Sequence, residues 1–191
     1  MFISEINSDD AYTRFEKMVL LSATKAIEDS GIDASSDKTI FVLSTTKGNV
    51  SLLEKNVCGV DDNRVLLGVM ANVISCHFGN SNMPIVVSNA CISGVCAQIV
   101  AKRCLESSKY DNAVVIGADE QSPFIVSGFM SFRALSPEVC HPFSKNRNGL
   151  NLGEAAATII YQRCDNVIDG WQAVKGAIRN DANHISGPSR T

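Results

Sequence analysis

Short runs of β-branched and apolar residues alternate along this chain with stretches of helical period, and that alternation constrains the fold more than any other feature. From Arg14 to Ser30 apolar side chains recur at Phe15, Met18, Val19, Ala23, Ala26 and Ile27, and Gly31 follows as a helix stop. Residues 39–43 form a short β-rich run. Residues 65–78 form a second helical stretch, closed by Gly79 and Asn80, and Ile85, Val86 and Val87 form a buried strand. Residues 92–106 are apolar over most of their helical surface, which predicts a helix packed on all sides. Residues 113–117 and 155–161 read as further strands, with 172–179 a candidate for one more. Strands apolar on both faces and separated by helices predict a layered α/β fold with a mixed, mainly parallel sheet. Residues 135–151 stand apart as polar, aperiodic and rich in Asn, and so long a loop within a compact domain is usually functional.

Composition narrows the function classes. The chain has 191 residues, 45% of them apolar, enough for one domain spanning 1–191. Seventeen basic against 20 acidic residues leave a net charge of −3, without the basic face that collects phosphates, so no nucleic-acid partner is expected. Only 19% of residues are charged and mean hydropathy is +0.07, which predicts some apolar surface hidden against a partner. The longest apolar stretches, 84–87 and 113–118, fall far short of the ~20 residues that span a bilayer, so no membrane insertion is expected. The first ten residues are acidic and lack the basic start of a secretory signal. Seven cysteines are an odd number without a disulfide framework or a Cys-x-x-Cys pair, and His77, His141 and His184 do not join them at zinc-finger spacing. A reducing, cytoplasmic compartment is expected.

The sharpest chemical feature is Val86-Val87-Ser88-Asn89-Ala90-Cys91-Ile92-Ser93-Gly94. A buried strand runs into small residues, a cysteine, and then a long apolar helix. A cysteine at such a junction lies at a helix N-terminus, where the macrodipole favours a thiolate. Small neighbours permit a tight turn and close approach of a substrate carbonyl to backbone donors. One reading is a thiolate nucleophile whose own N–H helps to hold an oxyanion. The other is a structural cysteine in a packed α/β core, as most free cysteines are. Cys96 and Cys104 read as packing residues within the helix, and the adjacent Cys76 and His77 point apart. Asp119 and Glu120, after a strand, suit either acid–base work or helix capping. The basic loop 142–149 is weak evidence for anion binding.

Taken in order, SNACISG, AVVIGADE, SPFIVSGFMSFRALS, HPFSKNRNGLNLGEAAATIIYQ and NDANHISGPS resemble the β-ketoacyl-acyl carrier protein synthases. These are the condensing enzymes of fatty-acid and polyketide assembly, with the thiolase fold. The resemblance covers the chain from about Arg14 onward. Cys91 matches the family's acyl-accepting cysteine. Phe143, Arg147, Gly149, Gly153 and Glu154 match its F-D-x-x-R-x-G-x-x-x-G-E block, and Phe129 and Arg133 match its G-F-x-x-x-R-A-L segment. The resemblance thus implies a catalytic Cys91, with Phe129 and Phe143 on the substrate side. Ser144 stands where the family usually has Asp, and Ala156 where it often has Gly. The two histidines and the lysine of the family mechanism belong to a second, pseudo-symmetric half. No motif for them occurs here, and His184 matches a position near the join of the halves. The chain therefore reads as the N-terminal half of the thiolase-like fold and is expected to be inactive in condensation alone.

The resemblance implies decarboxylative condensation of an acyl thioester with a malonyl thioester on acyl carrier protein, through an acyl-Cys intermediate, in fatty-acid or polyketide biosynthesis. That chemistry needs no metal or organic cofactor. It implies acyl carrier protein as partner and a homodimer, or a heterodimer with a related subunit, paired along the strand at 84–88. Two alternatives stand beside it. One is a non-catalytic partner subunit of the chain-length-factor type, against which the retained Cys91 counts. The other is a thiolase or acyltransferase acting on coenzyme A thioesters, against which the two phenylalanine-bearing segments count.

Overall fold

The computed structural model describes residues 11–54, 60–164 and 170–179. Cys58, His184 and the NDANHISGPS segment therefore lie outside the described residues. Helix α1 (Arg14–Ser30) starts where Thr13 and Glu16 form a reciprocal capping box and ends at Gly31, whose φ of 67° puts it in the left-handed region. Strand β1 (Thr39–Ser44) follows, then two short 3₁₀ turns, Val50–Leu53 and Asp62–Val65. Helix α2 (Leu67–His77), strand β2 (Ile85–Val87), helix α3 (Ser93–Glu106) and strand β3 (Asn112–Asp119) come next. Helix α4 (Pro123–Ser131) and strand β4 (Ala155–Gln162) complete the order.

The four strands form one sheet in the order β2-β1-β3-β4. The first three are parallel, with Val42 opposite both Ile85 and Val115, and β4 runs antiparallel to β3. The mixed, mainly parallel α/β sheet expected from the sequence is thus the observed one. Side-chain alternation builds a core on each face. Phe41, Leu43, Val114 and Ile116 point to one side and meet Phe15, Val19, Met70 and Ile74 of α1 and α2. Ile40, Val42, Ala113 and Val115 point to the other and meet Ala97, Ala101 and Leu105 of α3. Each of the large side chains buried in this way contributes about 1.5–3 kcal/mol of transfer free energy.

Three features differ from the sequence reading. Residues 172–179 form no strand; they lie exposed, with Gly176 pressed on Ile99 of α3 so closely that a Cβ there would come within 2.6 Å. A β-rich run becomes a strand only where a neighbour offers a ladder, and this one meets a helix. Helix α3 packs one face, not all sides: Ser93, Cys96, Ala97 and Leu105 are buried, whereas Val95 is 58% exposed. Only one sheet lies beside α3 among the described residues, and it covers one face. Helix α4 was not anticipated and buries none of its residues, although Phe124, Met130 and the following Phe132 are apolar. No helix among the described residues is long and apolar enough to cross a membrane.

Candidate active site

Parallel strands leave their carboxyl ends on one side of a sheet, the side where α/β folds place their chemistry. Strand β2 ends there and α3 begins six residues later, so the chain must turn within Ser88–Ile92. Ala90 makes the turn by taking φ 47°. For a residue with a Cβ that conformation costs about 1–2 kcal/mol, so the surroundings must hold it. Ile92 N–H reaches Asn89 O at 3.2 Å and Ser93 N–H reaches Ala90 O at 3.2 Å. The buried Ser93 hydroxyl accepts from Asn89 N–H at 2.8 Å and donates to Ala90 O at 2.7 Å. Asn89 Nδ2 donates to the thiol sulfur of buried Cys96 at 3.6 Å. Cys91 sits exposed at the crest, just ahead of α3. Ile92, the N-cap residue, makes no side-chain cap hydrogen bond, and Cys91 lies just ahead of this helix start.

The other described cysteines differ. Burial pushes the Cys104 thiol above its ordinary value, and Cys96 is 3% exposed within the core. Cys76 precedes His77, whose Nδ1 lies 2.9 Å from the Tyr12 hydroxyl and whose ring packs edge-on to Tyr12 and Phe78. His77 therefore tethers α2 to the segment before α1 and faces no cysteine.

At the neighbouring strand ends, Asp119 Oδ1 accepts from Thr45 Oγ1, Thr46 N–H and Thr46 Oγ1, all within 3.0 Å. Three donors on one oxygen tie the loop after β1 to the end of β3. Glu120 is nearly buried, and desolvation raises its pKa against a counteracting hydrogen bond from Ser51 Oγ. Arg14 bonds Glu154, lies 3.9 Å from Glu120, and holds the Glu154 carboxyl below its ordinary range. The Asp119–Glu120 pair thus serves as a brace between β1, α1 and the start of β4.

Phe129 is half-buried on α4, and Phe143 stands fully exposed in the long loop with φ 62°. Phe143 lines an open hollow of about 560 Å³ with Cys140, His141, Arg147 and Leu150, which reaches neither Cys91 nor Phe129. The structure therefore does not bring the three residues into one hollow. The loop itself is ordered by a two-bond bridge, Ser136 N–H to Leu150 O and Leu150 N–H to Ala134 O, each 2.8 Å. Ser144 Oγ accepts from Asn146 N–H at 3.1 Å, so serine closes the turn that an aspartate would close, without the charge.

A family model described as "Beta-ketoacyl synthase, N-terminal domain" matches residues 2–166. The chain belongs to the β-ketoacyl synthase family. A highly reducing polyketide synthase of Didymella fabae is 24% identical over 188 residues, which cover 92% of this chain and 10% of that protein. A putative polyketide β-ketoacyl synthase 1 of Streptomyces halstedii is 23% identical over 93% of this chain and 50% of its own length. Among solved structures, a β-ketoacyl synthase from Burkholderia phymatum superposes with a TM-score of 0.69 at 20% identity, covering 80% of this chain and 43% of that one. A ketosynthase in complex with its chain length factor, from Xenorhabdus doucetiae, gives a TM-score of 0.65 at 26% identity, covering 85% of this chain and 43% of that one. The β-ketoacyl synthase domain described here thus spans half or less of the length of these relatives. Its fold is that of the ketosynthases on which it superposes. The Ser93 clamp and the Glu120 brace were missed in the sequence; Ser93 lay in plain view two residues after Cys91 but reads there only as a small residue.

Proposed function

We propose that Cys91 is the acyl-accepting nucleophile of a decarboxylative condensation. Its thiolate attacks the carbonyl of an acyl thioester, the tetrahedral oxyanion collapses, and the donor thiol leaves with the acyl group now on sulfur. A carbanion formed by loss of CO₂ from a malonyl thioester on acyl carrier protein then attacks the acyl-Cys carbonyl, and the Cys91 thiolate departs. The second step draws on histidines that the family carries beyond its N-terminal domain, whereas the first needs only the Cys91 thiolate and nearby donors. The observation that carries the reading is the left-handed turn at Ala90 that lifts Cys91 to the crest between β2 and α3. Phe129 and Phe143 are proposed to face the acyl chain once the rest of the fold closes over them. The free thiols of Cys76, Cys91, Cys96, Cys104 and Cys140 support a reducing, cytoplasmic setting.

Brief alkylation with iodoacetamide at neutral pH, followed by peptide mapping, tests the assignment. Cys91 is expected to react before Cys76, Cys140 and Cys164. Incubation with an acyl thioester should then add one acyl mass on the Cys91 peptide, and Cys91→Ser should abolish it. Labelling of Cys140 with Cys91 untouched would overturn the reading.

We also infer a dimer. Strand β2 is the outer strand of the sheet, and Ile85, Val86 and Val87 are only half-buried. An open apolar edge invites pairing, and a two-fold arrangement closes it on both copies at once. Light scattering at micromolar concentration should report a dimer or larger species; a clean monomer would refute this.

A further inference from the structure

Resting on the reading of Cys91 as nucleophile, we infer that Ser93 is a positioning residue: its hydroxyl clamps the turn that presents the Cys91 sulfur to the start of α3. The clamp spans five residues. One side-chain oxygen accepts from Asn89 N–H at 2.8 Å, before the cysteine, and donates to Ala90 O at 2.7 Å. The two residues that lead into the cysteine are thereby bonded to one atom fixed in the first turn of a 14-residue helix. Ser93 is itself buried, 6% exposed, and its hydroxyl meets the exposed Asn89 and Ala90 from the protein side. One of the two bonded residues, Ala90, directly precedes the cysteine and is the one non-glycine in the turn with positive φ, at 47°. The two backbone bonds that cross the turn are each 3.2 Å long, and the two shorter bonds to the hydroxyl add to them. A second tie, from Asn89 Nδ2 to Cys96 Sγ, fixes the same segment to α3 one turn further on. The sulfur's position relative to the helix dipole therefore depends on a side chain that touches neither the sulfur nor a substrate.

If the clamp opens, Ala90 relaxes toward negative φ and Cys91 swings off the helix axis. The sulfur then leaves its place ahead of the helix start, and its reaction with an electrophile slows. The test is the iodoacetamide rate at Cys91 at neutral pH, read by peptide mass spectrometry in the full chain, with Cys140 as internal reference. Ser93→Ala should lower the Cys91 rate by about five- to tenfold, the effect of losing one or two hydrogen bonds. It should leave the Cys140 rate unchanged. Ser93→Thr, which keeps the hydroxyl, should restore the Cys91 rate. A second measurement needs no variant: hydrogen exchange of the Asn89 amide should be slow although Asn89 is exposed, because Ser93 Oγ holds it. An unchanged Cys91 rate in Ser93→Ala, failure of Ser93→Thr to restore a lowered one, or unprotected exchange at Asn89 would overturn the inference while Cys91 remains the fastest cysteine. A wild-type Cys91 that reacts no faster than Cys140 would instead remove the nucleophile reading, and Ser93's role with it.

Discussion

Replacing Glu16 by Gln should unfold this domain several degrees earlier, and the structure supplies the magnitude. Glu16 is fully buried in the first turn of α1. Its Oε2 accepts from Thr13 N–H and from Arg64 Nη1, both at 3.0 Å, and its Oε1 accepts from Asn49 Nδ2 at 2.8 Å. A glutamine must turn its NH₂ toward one of these positions. At the Oε2 site it would face two donors, so it takes the Oε1 site and meets the Asn49 NH₂. Asn49 cannot simply flip, because its Nδ2 also donates to Arg64 O at 3.1 Å and its Oδ1 accepts from Thr13 Oγ1 at 2.6 Å. One buried donor is left without a partner, at about 1–3 kcal/mol. Removing one partner of a buried ion pair costs about 3–5 kcal/mol when the other is trapped. Arg64 is 21% exposed and can turn partly to water, which brings the ion-pair loss below that range, so with the unpartnered donor the total should be about 3 kcal/mol. For a domain of this size that is a fall of about 6–12 °C in Tm. Thermal unfolding by circular dichroism at neutral pH measures it, with exposed Glu28→Gln on the same helix as control. A Glu16→Gln melting point within about 2 °C of wild type would refute the claim that this network fastens α1 to the loop after β1.

Gly149 has φ +80°, and a Cβ there would lie 2.7 Å from Leu135 C and Ser136 N, so Gly149→Ala should break the Ser136–Leu150 bridge. The left-handed penalty alone is about 1–2 kcal/mol, and hydrogen exchange at the Ser136 and Leu150 amides should speed up; unchanged exchange would contradict the bridge's dependence on glycine. Desolvation raises the Glu120 pKa above 4.5, so the folded state holds that proton more tightly than the unfolded chain. Its contribution to stability is present below the unfolded value and is lost as pH rises through the folded one. Glu120→Gln removes that loss, and the variant-minus-wild-type difference in Tm should therefore grow from pH 4.5 toward neutral; a flat difference would show that burial costs the carboxylate nothing.

Most elements were legible in the sequence because their causes are local. Capping by Thr13 and Gly31, the helical period from Phe15 to Ile27, and the β-branched runs at 39–43 and 113–117 act within a few residues of one another. Cys91's place between strand and helix was legible for the same reason. Helix α4 escaped because PFIVSGFMS is too short and too uniformly apolar to show a period; Ser122, which caps it, and Pro123 at its start were the available signal. Residues 172–179 misled because β-propensity states what a segment tolerates, whereas a strand exists only beside another strand. Tertiary structure alone decided the rest. The order β2-β1-β3-β4, the antiparallel entry of β4, and the pairing of Glu16 with Arg64, 48 positions away, depend on which surfaces meet after collapse. Local pattern places a cysteine at a junction. The direction in which its sulfur points is set by the Ser93 hydroxyl and the left-handed Ala90, a few residues away, and the burial of Ser93 is decided once α3 packs against the sheet.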